Sequence, residues 1–314
     1  MSIWEAIIQG IVQGVTEFLP VSSSGHLSLA KHVMGIEVTG LFFDVMLHIG
    51  TLIAVMIVYR ATIWKLILAF FSLCQDIFKG QFKWKEMDDD RRLLMMLIIG
   101  LVPLFLLFLP IPGTGMQLKD LSDMLATDTT ILAEGFSFLL TSFLLFMAIR
   151  ASKRVRSSRH MRDSQGRKLV SKGRSKFHVA DAISVGLTQL CAALLPGLSR
   201  SGSTLSVAMM RGINQQKALD YSFVLGLPSI LAAAALTLKD AISSGEAIDV
   251  VPLVAGMIAS AVVGFLAIQL LKWIVTTNKL HIFAIYTLVL GVVVLLIALI
   301  ESTTHVNFFS GTLL

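Results

Sequence analysis

A helix-breaking polar segment occurs twice inside apolar sequence: GIVQGVTEFLPVSSSGH from Gly10 to His26, and GLTQLCAALLPGLSRSGST from Gly186 to Thr204. Gly10 aligns with Gly186, Gln13 with Gln189, Pro20 with Pro196 and Ser23 with Ser199 at one constant offset, so the segments are copies of one element. Each reads as an apolar helix interrupted by proline and then by small hydroxyl residues. At membrane depth such irregular backbone is tolerated only beside protein or a polar cavity, because lipid cannot satisfy its N–H and C=O groups. Two broken elements in corresponding halves of a chain point to one shared site.

Composition places these segments in a bilayer. Hydrophobic residues make up 55% of the chain and charged residues 15%, and the mean hydropathy is +0.80. That is more apolar surface than a soluble domain of this length could bury, so the chain reads as a polytopic membrane protein. Cys74 lies in an amphipathic stretch and Cys191 in an apolar run, which gives no disulfide framework. The opening MSIWEAIIQG lacks the basic start and cleavage site of a signal peptide, so this segment is expected to be retained.

A span needs roughly twenty mostly apolar residues. Six plain candidates fit: 43–59, 93–111, 131–149, 217–238, 250–272 and 281–300. The segment from Arg60 to Arg92 is basic, and that from Arg150 to Lys176 holds eleven basic residues against the single acid Asp163. Both are expected in the cytoplasm. The connections 112–130 and 239–249 carry Lys119 and Lys239 among Asp120, Asp123, Asp128, Asp240, Glu246 and Asp249, and are expected outside. With residues 3–35 and 179–211 as re-entrant hairpins, each half is one hairpin plus three spans. Three is odd, so the halves insert upside down relative to each other. The expected fold is therefore an all-α inverted repeat: residues 1–150, a basic cytoplasmic loop 151–177, and residues 178–314.

Such an arrangement brings the two tips together, with helix N-termini offering positive dipole ends to an anion. The first tip supplies Glu17, Ser23 and His26; the second supplies Ser199, Arg200, Ser201 and Thr204. A mid-membrane charge costs about 2.5–3.5 kcal/mol on insertion scales, so Glu17 and Arg200 need partners or a wet pocket. Arginine presents a planar fork of donors to phosphate oxygens, and serine hydroxyls with helix-start amides complete an anion cradle. Serine becomes a nucleophile beside a base, and His26 follows Ser23 by three residues. The Glu17 carboxylate suits a hard divalent cation.

Plainer readings compete. Ser, Gly and Pro at membrane depth often serve packing, and Arg200 could simply pair with Glu17. Gln13 is left open between site and structure, whereas a structural role is favoured for Gln189. Asp44 and His48 share one face at i, i+4 spacing and either reach the site or pair with each other, pairing being favoured. The basic loop is expected to be solvated and to touch anionic headgroups; without interleaved aromatics it does not suggest nucleic acid. What favours a site is the joint placement of these residues on two repeated tips.

QGVTEFLPVSSSGH (Gln13 to His26), FDVMLHIGTLIAV (Phe43 to Val55) and LPGLSRSGST (Leu195 to Thr204) together resemble the undecaprenyl-diphosphatases of the bacitracin-resistance type. The resemblance implies an inverted-repeat enzyme of the bacterial plasma membrane. That enzyme removes the terminal phosphate of a C55 isoprenoid diphosphate, recycling the cell-wall lipid carrier and conferring bacitracin resistance. Carried over by position, it places the family's E/Q-x-x-x-E motif on Gln13 and Glu17, its serine and histidine on Ser23 and His26, and its phosphate-binding arginine on Arg200. It also implies a Mg2+ or Ca2+ requirement. The expected partners are an isoprenoid diphosphate lipid and the bilayer, with a site opening to the outer face and homodimerisation left open. Transport or flipping of a polyprenyl phosphate carrier is the rival class, since many transporters share this architecture.

Overall fold

A computed structural model describes residues 2–36, 41–120, 124, 131–158, 160–162, 168–170, 173–244 and 249–311. The expected outward positions Asp123, Asp128 and Glu246, and the acid Asp163 of the basic loop, lie outside these residues. The described residues form a helical membrane protein. Its helices are α1 (Ile3–Phe18), α2 (Ser23–Met34), α3 (Leu41–Val58), α4 (Arg60–Phe78), α5 (Asp89–Leu101) and α6 (Leu132–Ser158), followed by α7 (Val179–Leu194), α8 (Arg200–Met210), α9 (Gln215–Ser244), α10 (Val250–Thr276) and α11 (His281–Thr304). A 3-10 segment, Val102–Phe108, extends α5. In the basic loop, His160–Arg162 and Lys168–Val170 pair as a short antiparallel hairpin.

Six helical segments are long and apolar enough to cross a bilayer: α4, Asp89–Phe108, Leu132–Val155, Gln215–Lys239, α10 and α11. The first expected span, 43–59, falls on a shorter apolar helix, Phe42–Val58, that runs through Tyr59 into α4. Helix α4 falls within the stretch expected to be a basic cytoplasmic connection. There, attention to charge hides the apolar periodicity of Ile63, Leu66, Phe70 and Leu73 between Arg60, Lys65 and Asp76.

The duplication is visible in the helices themselves. α1 and α7 are each 16 residues long and end at corresponding positions, just before the two breaks. The halves exchange their first helices: α1 packs mainly on α10 of the second half, and α7 on α5 and its 3-10 extension in the first. Corresponding glycines make both approaches possible. A Cβ on Gly10 would lie 2.3 Å from the Gly256 carbonyl oxygen, and one on Gly186 would lie 2.4 Å from that of Gly100. Backbone-to-backbone contact of this kind is the usual way membrane helices associate.

Either Gly10→Ala or Gly186→Ala should therefore force two helices apart, with a loss of about 1–3 kcal/mol typical of overpacking. The melting temperature of the purified protein in detergent measures this.

Candidate active site

α1 ends at Phe18 and α2 begins at Ser23; α7 ends at Leu194 and α8 begins at Arg200. Both breaks open into one cavity of about 480 Å3 counting its mouth, lined by Glu17, Ser22, Ser23, Ser24, His48, Ser199, Arg200 and Ser201 together with apolar residues. The breaks hold each other. Ser201 Oγ donates to the Leu19 carbonyl at 3.3 Å, and the Arg200 guanidinium donates to Glu17 Oε1. Helix α6 satisfies the second break's backbone, with Ser137 Oγ donating to Pro196 O at 2.6 Å and Thr141 Oγ1 accepting from the Ser199 amide at 3.2 Å.

The second break is one residue longer than the first, so the equivalent capping residues are Ser22 and Ser199, and Ser23 stands opposite Arg200. Ser199 caps α8 by accepting from the Gly202 amide at 3.0 Å. Ser22 caps α2 in the same way, accepting from Gly25 N at 3.2 Å, its backbone held at φ +76°. A non-glycine residue in a sparsely populated region costs about 1–3 kcal/mol and is characteristic of functional sites. Ser23 follows directly, and its Oγ donates to Glu17 Oε2 at 2.6 Å.

Glu17, 5% exposed, is the hub. Its Oε2 also accepts from Gln13 Nε2 at 3.0 Å and has His48 Nε2 at 3.5 Å. Asp44 instead binds Lys31 at 2.6 and 2.7 Å. Its only hydrogen bond with His48 runs from the ring's Nδ1 to the Asp44 backbone carbonyl, so the expected pairing of the two side chains does not form.

His26 does not reach Ser23. Its Nδ1 lies 2.6 Å from the Ser22 carbonyl and its Nε2 lies 2.7 Å from the Tyr286 hydroxyl. The ring stacks on Tyr286 and meets Phe138 edge-on. A carbonyl only accepts, so in the neutral ring Nδ1 carries the proton and Nε2 accepts from Tyr286. The bond back to the carbonyl four residues earlier turns the ring toward α6 and α11; spacing alone does not reveal that rotamer. Thr204 also faces away from the cavity, bonding to Arg200 O at 2.8 Å and to Ser222 Oγ.

Sequence reasoning ranks the site role of one residue below a local pairing and misses another residue altogether. His48 sits in the FDVMLHIGTLIAV motif, where its spacing from Asp44 suggests a local pair. Gly226 lies far away in α9, and a Cβ there would fall 1.8 Å from Arg200 Nη1. No sequence signal marks it, since the need for a glycine arises only when α9 meets the guanidinium.

Among the described residues no group of three or more His, Cys, Asp or Glu side chains is placed to hold a metal. The cavity's oxygen donors are Glu17 and its serines; behind Glu17, Gln13 bonds it through Nε2 and keeps a buried Oε1 with no partner in the protein. This hard, partial set fits Mg2+ or Ca2+ completed by substrate oxygens and water, not a softer metal held by protein alone.

A cavity of serines, an arginine and a carboxylate, built where two broken helices meet inside a helical membrane protein, has the donor set of an anion site. Residues 6–293 match the family model described as bacitracin resistance protein BacA, and the chain belongs to that family. A protein of Alkaliphilus metalliredigens named undecaprenyl-diphosphatase is 34% identical over 96% of this chain and 100% of its own length. One of Methanobrevibacter smithii with the same name is 35% identical, over 97% and 99% respectively. One of Desulfatibacillum aliphaticivorans, also so named, is 36% identical, over 93% and 97%.

Gly226→Ala should displace the Arg200 guanidinium without replacing any cavity residue. The expected loss is that of a charge-assisted hydrogen bond, about 1.5–3 kcal/mol, or roughly ten- to hundredfold in phosphate release. An unaltered rate with an intact melting curve would detach Arg200 from the chemistry.

Proposed function

We propose that the protein hydrolyses undecaprenyl diphosphate, or a closely similar isoprenoid diphosphate, to the monophosphate and phosphate. By that reaction it would recycle the lipid carrier of the bacterial plasma membrane and contribute to bacitracin resistance. The observation that carries this reading is the convergence of two helix N-termini, with Ser23 hydrogen-bonded to Glu17 and Arg200 beside them, in one cavity. The names of the relatives supply the substrate class.

The isoprenoid tail lies among apolar helix faces while the diphosphate enters the cavity from the outer face. Arg200 exchanges Glu17 for the terminal phosphate, using the bidentate fork that suits phosphate oxygens. Ser199, Ser201 and the first-turn amides of α2 and α8 complete the cradle. Ser23 Oγ attacks the terminal phosphorus and gives its proton to Glu17, the base already in contact with it, and the isoprenoid monophosphate departs. Water then cleaves the phosphoserine. A Mg2+ or Ca2+ ion held by Glu17 and Ser23 would supply charge neutralisation for the diphosphate. His26 acts from the rear of the α2 N-terminus, its ring fixing the Ser22 carbonyl at the strained cap.

Phosphate release by purified protein in detergent tests the reading, since transport has no sidedness there; absence of release would favour carrier translocation instead. Ser23→Ala should reduce release to background. Rapid quenching with terminally labelled substrate should place phosphate on Ser23, or on the cysteine of Ser23→Cys. An appreciable residual rate in Ser23→Ala with no covalent phosphate in wild type would assign the attack to water. Glu17→Gln should be at least as damaging as His26→Gln, because Glu17 is the group that touches the nucleophile.

We also infer that the halves insert in opposite orientation, with α4, which has no counterpart in the second half, lying along the membrane instead of crossing it; the basic loop after α6 and the exchanged packing of α1 and α7 support this. In a protein lacking Cys74 and Cys191, a cysteine at Thr114 should react with an impermeant thiol reagent in intact cells. One at Lys153 should react only after lysis. The reverse pattern, or labelling of both from one side, overturns the orientation.

A further inference from the structure

Glu5, Gln9, Gln13 and Glu17 recur at every fourth residue of α1 and share one face of the helix. Glu5 stands in the exposed first turn, its carboxylate accepting from the Ser2 amide at 2.8 Å. Glu17 lies in the phosphate cavity. Between them Gln9 and Gln13 are each 0% exposed. Gln13 gives Nε2 to Glu17, but its Oε1 finds no partner in the protein, and Gln9 finds none for Oε1 or Nε2. Burying an unpaired amide is unfavourable, and here the unpaired atoms fall on one line toward the site. Buried water is the general solution, each molecule making about three bonds to otherwise unsatisfied groups.

The duplicated copy sharpens the point. Gln189, which matches Gln13, is likewise buried with both amide atoms unpaired, but Gln9 is matched by Val185 and Glu17 by Ala193. Only the first copy continues the polar face from the helix start to the cavity, and the first copy carries Ser23.

We propose that Gln9 and Gln13 line a file of buried water that joins the phosphate cavity to the membrane face where α1 begins, supplying the hydrolytic water and carrying away the proton. This rests on the phosphatase reading. Attack by Ser23 breaks the anhydride P–O bond; water then breaks the phosphoserine P–O bond, its oxygen ends on the released phosphate, one proton returns to Ser23 and the surplus proton leaves along the file. The lipid monophosphate left in the cavity mouth after the first step blocks the direct route to solvent, so a second route serves the hydrolytic step until it dissociates.

Gln9 makes no contact with the reacting groups, which allows a clean test. Gln9→Leu nearly preserves volume and removes both polar atoms; Gln9→Ser leaves a void but keeps a hydroxyl and room for water. For phosphate release in detergent, Gln9→Leu should lower kcat about tenfold with KM unchanged and a larger solvent deuterium isotope effect, at equal or higher melting temperature. Gln9→Ser should keep most of the turnover despite a lower melting temperature. A purely structural glutamine gives the opposite order, since packing tolerates leucine better than a cavity. Turnover of Gln9→Leu at or above that of Gln9→Ser, or an unchanged isotope effect, overturns the proposal. If the wild-type protein releases no phosphate, the phosphatase reading itself has failed. Density at a resolution that shows ordered water then decides the file: water between Gln9 and Gln13 supports it, and a dry contact overturns it.

Discussion

The contact between Glu17 and Arg200 joins the two halves of the chain where neither charge could stand alone. Each ion taken from water into a protein interior loses several kcal/mol of solvation, and removing one partner of a buried pair costs about 3–5 kcal/mol. The pair is therefore a constraint on the fold as much as a feature of the site. It requires α1 to end where α8, far along the chain, begins, and it makes each broken helix depend on the other. The pairing also leaves four of arginine's five N–H donors available beyond the bond to Glu17. An anion entering the cavity finds the guanidinium already oriented. Gly226 fixes that orientation by bringing the α9 backbone against the guanidinium.

Around this pair, polar groups in an apolar setting are satisfied by hydroxyls from neighbouring helices. Ser137 and Thr141 of α6 serve the Pro196 carbonyl and the Ser199 amide, and Ser201 serves the Leu19 carbonyl. These bonds answer the requirement that non-helical backbone at membrane depth be paired inside the protein. Glycines answer the companion requirement of close approach, and they do so at matching places in both copies: Gly10 against Gly256 and Gly186 against Gly100.

Much of this is legible in the sequence because it rests on repetition and hydropathy, which are local. The matched motifs locate the helix breaks, and the apolar runs locate most long helices. What escapes is whatever depends on how a side chain rotates or on which distant backbone it meets. His26 and Ser23 are three residues apart and belong to one helix turn, yet the bond from the His26 ring to the Ser22 carbonyl turns the imidazole toward Tyr286. His48 and Asp44 are at helix-pair spacing, yet Lys31 takes the carboxylate and leaves the ring to Glu17. Helix α4 is missed for a different reason: Arg60, Lys65 and the lysines after Phe78 dominate a charge count, although the apolar residues between them keep helical periodicity.

The two copies show how duplication can yield a site with distinct ends. The helices before the breaks end at corresponding positions, but the second break is one residue longer, so beyond it Ser22 corresponds to Ser199. Both cap their helices, accepting from the amides of Gly25 and Gly202. The copies part at the next position, where Ser23, whose hydroxyl donates to Glu17, stands opposite Arg200, whose guanidinium donates to the same carboxylate. Glu17 itself has no carboxylate counterpart at Ala193. Two substitutions between similarly capped breaks thus separate a carboxylate-linked hydroxyl on one tip from a guanidinium on the other. A fully symmetric site would present two equivalent caps and no charge to hold a phosphate. The divergence of the copies, and not the repeat itself, is what makes the cavity chemically directional.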